Sequence, residues 1–271
     1  MKKLTMYCLS LYNNDYKKIK SLGYIPVGLG KNKFDKNWLR DNTGKNISKK
    51  NPFYGEYTFH YWFWKNKFNK FSNNEWIGFC AYRRFWANKE NLNKLKLKKD
   101  FLSAPKSGWK NYDVILGNNI SINKWKPMKI IKHGLKSFIL NPKYFLKHNQ
   151  NIKLHFDSFH GYGNLDKAIS LLNPKDKSDF RKFTEKRNYF NRGNMFICNS
   201  KNILEDYYST IFTWLEKCES IFGFNKNSYG EKRIYAFLIE RFSSYWFNKY
   251  TRIKKWPVVF FNINNVKKIN L

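Results

Sequence analysis

The sequence predicts an α/β fold built on a mainly parallel central β-sheet. Short apolar runs typical of buried strands alternate along the chain with longer segments that repeat apolar residues at helical spacing. The chain is 271 residues long and 42% hydrophobic, so it can bury a large core. Aromatic residues make up 20% of it. This excludes an intrinsically disordered protein, because disordered chains lack the apolar surface that offsets the entropy of ordering.

The strands and helices follow from these runs in chain order. Strands are predicted at 4–11 and 24–29, and a polar loop at 31–50. Pro52 stands where a helix would begin, and the aromatic-rich segment 54–66 continues it. Further strands are predicted at 76–82, 112–116, 194–198 and 258–263, and further helices at 164–172, 176–186, 201–222 and 229–250. No repeat and no linker rich in Pro, Gly or Ser divides the chain, which favours one domain.

The chain is strongly basic. Its 52 Lys and Arg oppose 19 Asp and Glu, which gives a net charge of +33. The basic residues are 43 Lys and 9 Arg, beside 35 Asn. An AT-rich genome would produce this balance without selection for a ligand, because Lys and Asn share A-rich codons. No nucleic-acid-binding motif is present, so no specific nucleic acid is predicted as a partner. A diffuse positive field still attracts nucleotide-sugars and anionic lipids.

The cysteines and the apolar runs indicate where in the cell the protein is located. Cys8, Cys80, Cys198 and Cys218 are far apart and form no C-x-x-C pair, which is typical of a reduced, cytosolic protein. No segment has the ~18 consecutive apolar residues of a membrane-spanning helix. The apolar stretch after Lys3 is short and no small-residue cleavage site follows it, so a strand is favoured over a signal peptide. We therefore expect a cytoplasmic protein that lies peripherally on the inner face of the membrane.

Two segments could bind a nucleotide donor. The loop containing Asp41, Asn42, Asn46 and Ser48 precedes a helix start, where backbone N–H groups favour phosphate, although an ordinary surface turn has the same composition. Arg83 and Arg84 directly follow Tyr82 and an apolar strand. Because ligands collect at the carboxyl ends of strands, this pair could bind a diphosphate; bridges to surface carboxylates are the alternative.

Other polar residues are candidates for sugar binding and for catalysis. Asn194 precedes a strand and could contact a sugar hydroxyl, or could merely belong to a turn. Asp157 and His160, with His155, lie within six residues in a segment interpreted as a loop; they could hold a metal or supply a general base. Glu240 stands beside Arg241 on a predicted helix, where a structural ion pair is the simpler interpretation. No Asp-x-Asp motif follows a predicted strand.

Several segments together resemble one protein family. The run DNTGKNISKKNPFYGEYTFHYWFWKN (41–66) resembles the signature of a bacterial domain-of-unknown-function family of capsular-polysaccharide and O-antigen glycosyltransferases. WIGFCAYRRF (76–85) resembles its G-L-x-H-Y-R-R segment, NMFI (194–197) its N-M-F-I strand, and FLIERF (237–242) its F-L-x-E-R-L helix. Two positions depart from the family pattern: Ala81 replaces the His before Tyr-Arg-Arg, and Phe156 replaces a Tyr.

The resemblance implies a GT-A-like glycosyltransferase. It would comprise one domain over 1–271 with added C-terminal helices, a donor-binding part at about 1–120 and an acceptor-side part at about 121–271. Some family members transfer galactose or galactofuranose from a UDP-sugar, which implies a UDP-sugar donor, no further cofactor and a lipid-linked glycan acceptor. Arg83 and Arg84 would replace a divalent metal. An inverting reaction needs a general base, for which His160, Glu240 and then Asp157 are candidates.

Two other functions remain open from the residues alone. One is a non-catalytic, basic module that binds glycans or nucleic acid, which the charge alone would allow. The other is a metal-dependent transferase that uses His155, Asp157 and His160 as ligands.

Overall fold

A computed structural model describes residues 3–72, 75–122, 135–142, 150–225 and 228–265. The chain forms two compact units. The first consists of Met1–Asn118, Asn194–Tyr208 and Phe247–Leu271, and the second of Asn119–Gly193 and Ser209–Trp246. The division of one domain into a donor-binding part at about 1–120 and an acceptor-side part at about 121–271 stays a prediction. The first unit is formed by three separate segments of the chain, which no shift in composition signals.

The strands are, in chain order, β1 (Lys3–Ser10), β2 (Ile25–Gly28), β3 (Leu39–Arg40), β4 (Glu75–Ala81), β5 (Arg84–Trp86), β6 (Val114–Gly117), β7 (Ile120–Ser121), β8 (Tyr189–Phe190), β9 (Phe196–Cys198), β10 (Ile253–Trp256) and β11 (Val258–Phe260). The helices are α1 (Tyr16–Ser21), α2 (Asn51–Tyr54), α3 (Tyr57–Asn66), α4 (Leu135–Leu140), α5 (Ile152–His160), α6 (Asn164–Ser170), α7 (Pro174–Lys186), α8 (Lys201–Phe222), α9 (Tyr229–Lys232) and α10 (Ile234–Tyr250). Short 3-10 turns join several of them.

The first unit is built on a sheet with the central order β10-β6-β9-β4-β1-β2-β3. Strand β1 is parallel to β2 and β4, β2 is parallel to β3, and β6 is parallel to β10. Strand β9 runs antiparallel to both of its neighbours, β4 and β6. Strand β5 turns back from β4 and pairs with β11. The predicted α/β fold with a mainly parallel central sheet is confirmed.

Helices cover both faces of this sheet. Neighbouring residues of a strand point to opposite faces. Met6 of β1 belongs to the apolar cluster that contains Ile19 of α1. The next residue, Tyr7, has its ring centroid 5.3 Å from that of Phe59 in α3. Because both faces are buried, β1 has consecutive buried apolar residues at 6–9 and β4 at 76–81, without alternation with polar residues, as is usual for parallel sheets.

The second unit is mainly helical and includes a small sheet formed by β7 and β8. Trp214 of α8 donates from Nε1 to the carbonyl of Ala168 in α6 at 2.8 Å. The Phe180 ring of α7 lies 5.3 Å from that of Phe242 in α10, measured between centroids. Aromatic packing of this kind gives the unit its own apolar core.

Among the elements that differ from the sequence prediction, three lie at or beside predicted site residues. Strand β3 lies inside the segment predicted as a loop at 31–50; at two residues it is too short to show periodicity. Helix α5 replaces the loop predicted around His160. The helix predicted at 54–66 is interrupted at Gly55, whose φ of 59° suits glycine and ends α2 before α3 begins. Within the described ranges, no helix is long and apolar enough to cross a membrane.

Candidate functional site

The strand order reverses at β1 in the first unit. From β1 the chain proceeds to β2 and β3 on one side, and then returns to β4 on the other side. In open α/β sheets, ligands bind in the crevice outside the carboxyl ends of the strands where the order reverses. The register aligns Leu9 with Ala81, so β1 and β4 end at the same edge. The crevice between these two strand ends is therefore the candidate site.

Two tyrosines line this crevice. Tyr12 follows β1 and Tyr82 follows β4; their ring centroids are 5.1 Å apart in an edge-to-face arrangement. Burial raises the pKa of Tyr82 to about 12, with smaller contributions from Tyr12 and Glu56 and an opposing one from Arg83. The hydroxyl of Tyr82 therefore stays protonated at neutral pH and can donate a hydrogen bond.

The two adjacent arginines occupy different environments. Ala81 pairs with Arg84 at the β4–β5 turn, which leaves Tyr82 and Arg83 at its tip. Arg83 is exposed, and its guanidinium carbon lies 4.9 Å from the Tyr82 ring centroid. Arg84 is half-buried and lies 6.0 Å from the centroid of Phe260. Among the residues that the structure describes, no carboxylate forms an ion pair with either guanidinium, so Arg83 is available to an anion.

Asp41 is a structural group at the end of β3. It is fully buried, and its Oδ1 accepts from the Gly30 amide at 3.0 Å while its Oδ2 accepts from Thr58 Oγ1 at 2.6 Å. Burial raises its pKa, against the lowering effects of Thr58, Gly30 and Arg40. Arg40 donates to the carbonyls of Gly28 and Gly30 at 3.1 and 2.8 Å. Asp41 thus shapes the loop after β2 and does not offer its carboxylate to the crevice.

The rest of the predicted donor loop is tied to α3. Asn46 Oδ1 accepts from the amide and hydroxyl of Ser48 at 3.2 and 3.1 Å. Trp62 Nε1 donates to the Thr43 carbonyl at 2.8 Å, and Asn66 Nδ2 donates to the Lys45 carbonyl at 2.8 Å. Ser48 is buried, whereas Asn42 and Asn46 are exposed. Residues of the 41–66 motif therefore hydrogen-bond to one another, and these contacts explain the spacing of the motif.

Asn194 lies at the same sheet edge as Arg83. Gly78 of β4 pairs with Ile197 of β9, and the two strands are antiparallel. The start of β9 therefore meets the carboxyl end of β4. Asn194 is half-buried there. The structure thus brings together Tyr82, Arg83 and Asn194 of the predicted donor-binding set.

His160 is not in a polar loop, as the sequence suggested; it is the last residue of α5 in the second unit. It is 5% exposed and stacks on Phe237 with 3.9 Å between ring centroids. Its Nδ1 lies 3.3 Å from the Gly230 carbonyl oxygen. Burial holds its pKa well below the usual histidine range, helped by Arg241 and His155. His160 is therefore a neutral, packed imidazole.

Asp157 is also buried on α5. Its Oδ2 lies 3.6 Å from Lys153 Nζ, and its side chain is 2% exposed. Lys153 also pairs with Asp166. Burial raises the pKa of Asp157 to about 6, against the effect of Lys153. In the part of the chain that the structure describes, no three His, Cys, Asp or Glu side chains are grouped to hold a metal ion, His155, Asp157 and His160 included.

Glu240 is the most exposed of the three catalytic candidates, with 30% of its side chain accessible. The neighbouring Arg241 is 2% exposed and donates from Nη1 to Glu240 Oε2 at 2.9 Å. Arg241 Nη2 lies 3.3 Å from His155 Nδ1, which must accept because a guanidinium can only donate. The Glu240 backbone packs against Gly193, where a Cβ would lie 2.6 Å from Glu240 Cα. These contacts fix the position of the Glu240 carboxylate.

The family described as Domain of unknown function (DUF4422) matches residues 8–252, which include the crevice residues Tyr12, Tyr82 and Arg83. The chain belongs to the DUF4422 family. None of the curated proteins matches it. The resemblance noted in the sequence to a domain-of-unknown-function family is thus confirmed at the level of the family.

This DUF4422 protein is similar to a solved structure described as "WbbM bifunctional glycosytransferase apo structure". The two are 21% identical, with a TM-score of 0.70, and the match covers 95% of this chain and 45% of that chain. This chain therefore spans less than half the length of that protein. The likeness confirms the GT-A-like α/β fold that the resemblance implied.

The candidate residues of the DUF4422 protein divide between the two units. The first unit contains all donor-side candidates, namely Asp41, Asn42, Asn46, Ser48, Tyr82, Arg83, Arg84 and Asn194. The second contains the catalytic candidates His160, Glu240 and Asp157. Sequence reasoning missed Tyr12, which contacts Tyr82 at the crevice. A signal existed for Tyr12, because it directly follows the first predicted strand.

The Asp157→Asn variant is expected to remove a pH dependence of stability. The folded-state pKa of about 6 exceeds the unfolded value near ~3.9, so the native protein binds more protons between them and loses stability as pH rises through that window. The loss is on the order of 2–3 kcal/mol. Melting temperatures of both proteins measured across this window test it. As pH rises through this window, the melting temperature of the unaltered protein should fall relative to that of the variant. A constant difference between the two melting temperatures would contradict the expectation.

Proposed function

We propose that this DUF4422 protein is a glycosyltransferase that moves a sugar from a UDP-sugar to a surface-glycan acceptor, with galactose or galactofuranose as the favoured sugar. One observation carries the proposal: Arg83 lies exposed and without an ion-pair partner among the described residues, at the strand-end crevice of a GT-A-like sheet. A guanidinium at this position suits the diphosphate of a nucleotide-sugar. The resemblance to the family supports galactose or galactofuranose as the sugar and a lipid-linked glycan as the acceptor. It also supports a role in the synthesis of capsule or O-antigen.

The proposed reaction is a direct, inverting displacement. The acceptor hydroxyl oxygen bonds to the anomeric carbon, the bond from that carbon to the UDP oxygen breaks, and the hydroxyl proton passes to a general base. Negative charge develops on the leaving diphosphate, where Arg83, with Arg84 beside it, stabilises it. Each such donor contributes about 3–4 kcal/mol to the transition state. Because arginine supplies this charge, we propose that the reaction needs no divalent metal.

Glu240 is the favoured base of the three candidates. A base must reach the acceptor hydroxyl, and the Glu240 carboxylate is partly exposed and held by Arg241, whereas His160 and Asp157 are buried. A carboxylate is a side chain that can act as a general base towards a hydroxyl group. His160 and Asp157 stay as second and third candidates.

A donor screen tests the function. The protein is incubated with UDP-, GDP-, CMP- and dTDP-sugars, with and without EDTA, and release of the nucleotide is measured. We expect hydrolysis of a UDP-sugar that EDTA does not reduce. Loss of activity with EDTA and its rescue by Mn²⁺ would contradict the metal-independent mechanism. If no nucleotide-sugar reacts, and RNA, DNA or glycan raises the melting temperature, the protein is a basic binding module.

We expect the protein to bind anionic membranes through its charge. The chain carries +33, and each basic side chain near an anionic leaflet contributes ~1 kcal/mol. Sedimentation with phosphatidylserine-containing vesicles should be strong at low salt and lost at high salt, because salt screens these contacts. Phosphatidylcholine vesicles are the uncharged control. Binding that does not depend on salt would contradict a peripheral, electrostatic attachment at the inner face of the cytoplasmic membrane.

A further inference from the structure

Helix α4 of the second unit presents an apolar surface to solvent. Leu135, Ile139 and Leu140 are 53, 65 and 54% exposed, although large aliphatic side chains gain free energy from burial. Phe138, in contrast, is half-buried, and α4 packs against α5. Residues three and four positions apart share one face of a helix, so the exposed side chains form a continuous surface. Exposed apolar surfaces of this kind mark sites of interaction.

Lys136 and Tyr162 extend this surface. Lys136 is exposed and lies three and four positions before Ile139 and Leu140, so it shares their face. Its Nζ is 5.2 Å from the centroid of the Tyr162 ring, which follows α5 and is 44% exposed. Lysine and tyrosine each join an apolar body to a polar end, which suits a boundary between water and an apolar phase. We call Leu135, Lys136, Ile139, Leu140 and Tyr162 the α4 patch.

The residues of α4 belong to the longest stretch of the sequence without an acidic residue. No Asp or Glu occurs between Asp113 and Asp157, and the 43 residues that separate them include eight Lys. In the sequence, K-W-K-P-M-K-I-I-K (124–132) precedes α4 and K-Y-F-L-K (143–147) follows it. Lysines interleaved with aromatic and aliphatic residues are typical of segments that bind the surface of an anionic membrane.

An anionic bilayer offers partners to both kinds of side chain in the α4 patch. Lipid phosphates attract the lysine ammonium group, and the boundary between headgroups and acyl chains accepts aliphatic side chains. A second copy of the chain fits less well. In a two-fold dimer the same patch meets itself, so the lysines of this acid-free stretch would face one another and repel.

We propose that the α4 patch docks the protein on an anionic lipid bilayer, with Leu135, Ile139 and Leu140 inserted at the headgroup level and Lys136 on lipid phosphate. This goes beyond the proposed function, in which the net charge attracts the membrane and no contact surface is assigned. The α4 patch gives the attachment a position and an apolar component. Charge is still required, because even a whole acyl chain gives only marginal membrane binding by itself.

A matched pair of substitutions tests the position. Sedimentation with phosphatidylserine-containing vesicles at low salt is measured for the unaltered protein, Ile139→Ser and Ile221→Ser. Ile221 is also exposed, at 49%, but it lies on α8 near Glu216 and Glu219. Ile139→Ser should weaken vesicle binding about tenfold, because an aliphatic side chain no longer enters the bilayer. Ile221→Ser should change nothing.

A second pair tests the ionic contact. Lys136→Gln should weaken binding to the same vesicles about fivefold, because one contact with lipid phosphate is lost. Lys217→Gln removes an equally formal charge from an exposed position on α8 and should leave binding unchanged. Phosphatidylcholine vesicles should bind all variants weakly.

Insertion has its own readout. The chain has four cysteines, and all are buried, so an environment-sensitive fluorophore can be attached selectively to Ile139→Cys or to Ile221→Cys. With phosphatidylserine-containing vesicles, emission from position 139 should shift to shorter wavelength, and emission from position 221 should not. A charge-only attachment would shift neither.

Several results would overturn the inference. Vesicle binding by Ile139→Ser equal to that of the unaltered protein or of Ile221→Ser, or no shift from position 139, shows that the α4 patch does not enter the bilayer. If Ile139→Ser instead converts a dimer to a monomer and keeps its vesicle binding, the patch is an interface between copies. Equal melting temperatures exclude unfolding as the cause of a loss. Hydrolysis of the donor without vesicles tests the proposed function separately, and Ile139→Ser should not change it.

Discussion

The Glu240→Gln variant is expected to transfer sugar about 10²–10⁴-fold more slowly than the unaltered protein, with UDP affinity unchanged. Glutamine keeps the size of the side chain and its contact with Arg241, but it cannot take a proton from the acceptor hydroxyl. The base acts on the acceptor and not on the nucleotide, so the substitution should lower turnover and leave UDP affinity unchanged. Steady-state kinetics with the donor found in the screen, beside UDP titration, measures both quantities.

His160→Ala is the matched comparison. The imidazole is 5% exposed and stacks on Phe237, so its removal leaves a cavity and should lower the melting temperature together with activity. Glu240→Gln should lower activity alone. A large loss of turnover in His160→Ala at an unchanged melting temperature would make His160 the base. If both variants keep near-normal turnover, Asp157 is the next residue to replace.

The Arg83→Ala variant is expected to weaken UDP binding about 10–100-fold and to slow transfer about 10²–10³-fold. Arg83 offers an exposed guanidinium without an ion-pair partner among the described residues, so a diphosphate would gain charge-assisted hydrogen bonds there without displacing a carboxylate. Arg84→Ala should weaken binding less, because its half-buried guanidinium lies over Phe260. Calorimetric titration with UDP and steady-state kinetics measure the two effects.

Two control variants accompany this experiment. Arg252→Ala also removes one positive charge from the first unit, but Arg252 already pairs with Asp113 at 2.8 Å, so UDP binding should not change. Arg83→Lys keeps the charge and loses the planar fork, and should give an intermediate affinity. UDP affinity equal to that of the unaltered protein in both Arg83→Ala and Arg84→Ala would rule out the proposed diphosphate site.

Local patterns predicted the central strands well. The apolar runs at 4–11 and 76–82 became β1 and β4, because strands buried on both faces need apolar residues throughout. The helix predicted at 201–222 has the same bounds in the structure. The position of Arg83 just after a central strand was also readable, since the sequence order of a strand and its following turn does not depend on tertiary contacts.

The roles of several polar residues could not be read in the same way. Asp41 lies in a segment with the composition of a ligand-binding loop. Its two carboxylate oxygens, however, accept hydrogen bonds from the Gly30 amide and from Thr58 Oγ1. His160 has glycines on its C-terminal side, yet it ends a helix and packs on Phe237. Each partner is distant in sequence or belongs to another element. Burial and hydrogen-bond partners are properties of the folded neighbourhood, so residue type alone leaves the role undecided.

The sequence by itself determined the α/β class, the main strands and helices, and the arginine pair that follows β4. Tertiary structure alone decided which of these residues meet. Tyr12 and Tyr82 are seventy positions apart, and they touch because β1 pairs with β4 in the register that aligns Leu9 with Ala81. The strand order that places a crevice between the ends of β1 and β4 also depends on pairing between segments that are distant in sequence. Periodicity records how each segment is buried, whereas register and strand order depend on contacts between segments that no local pattern specifies.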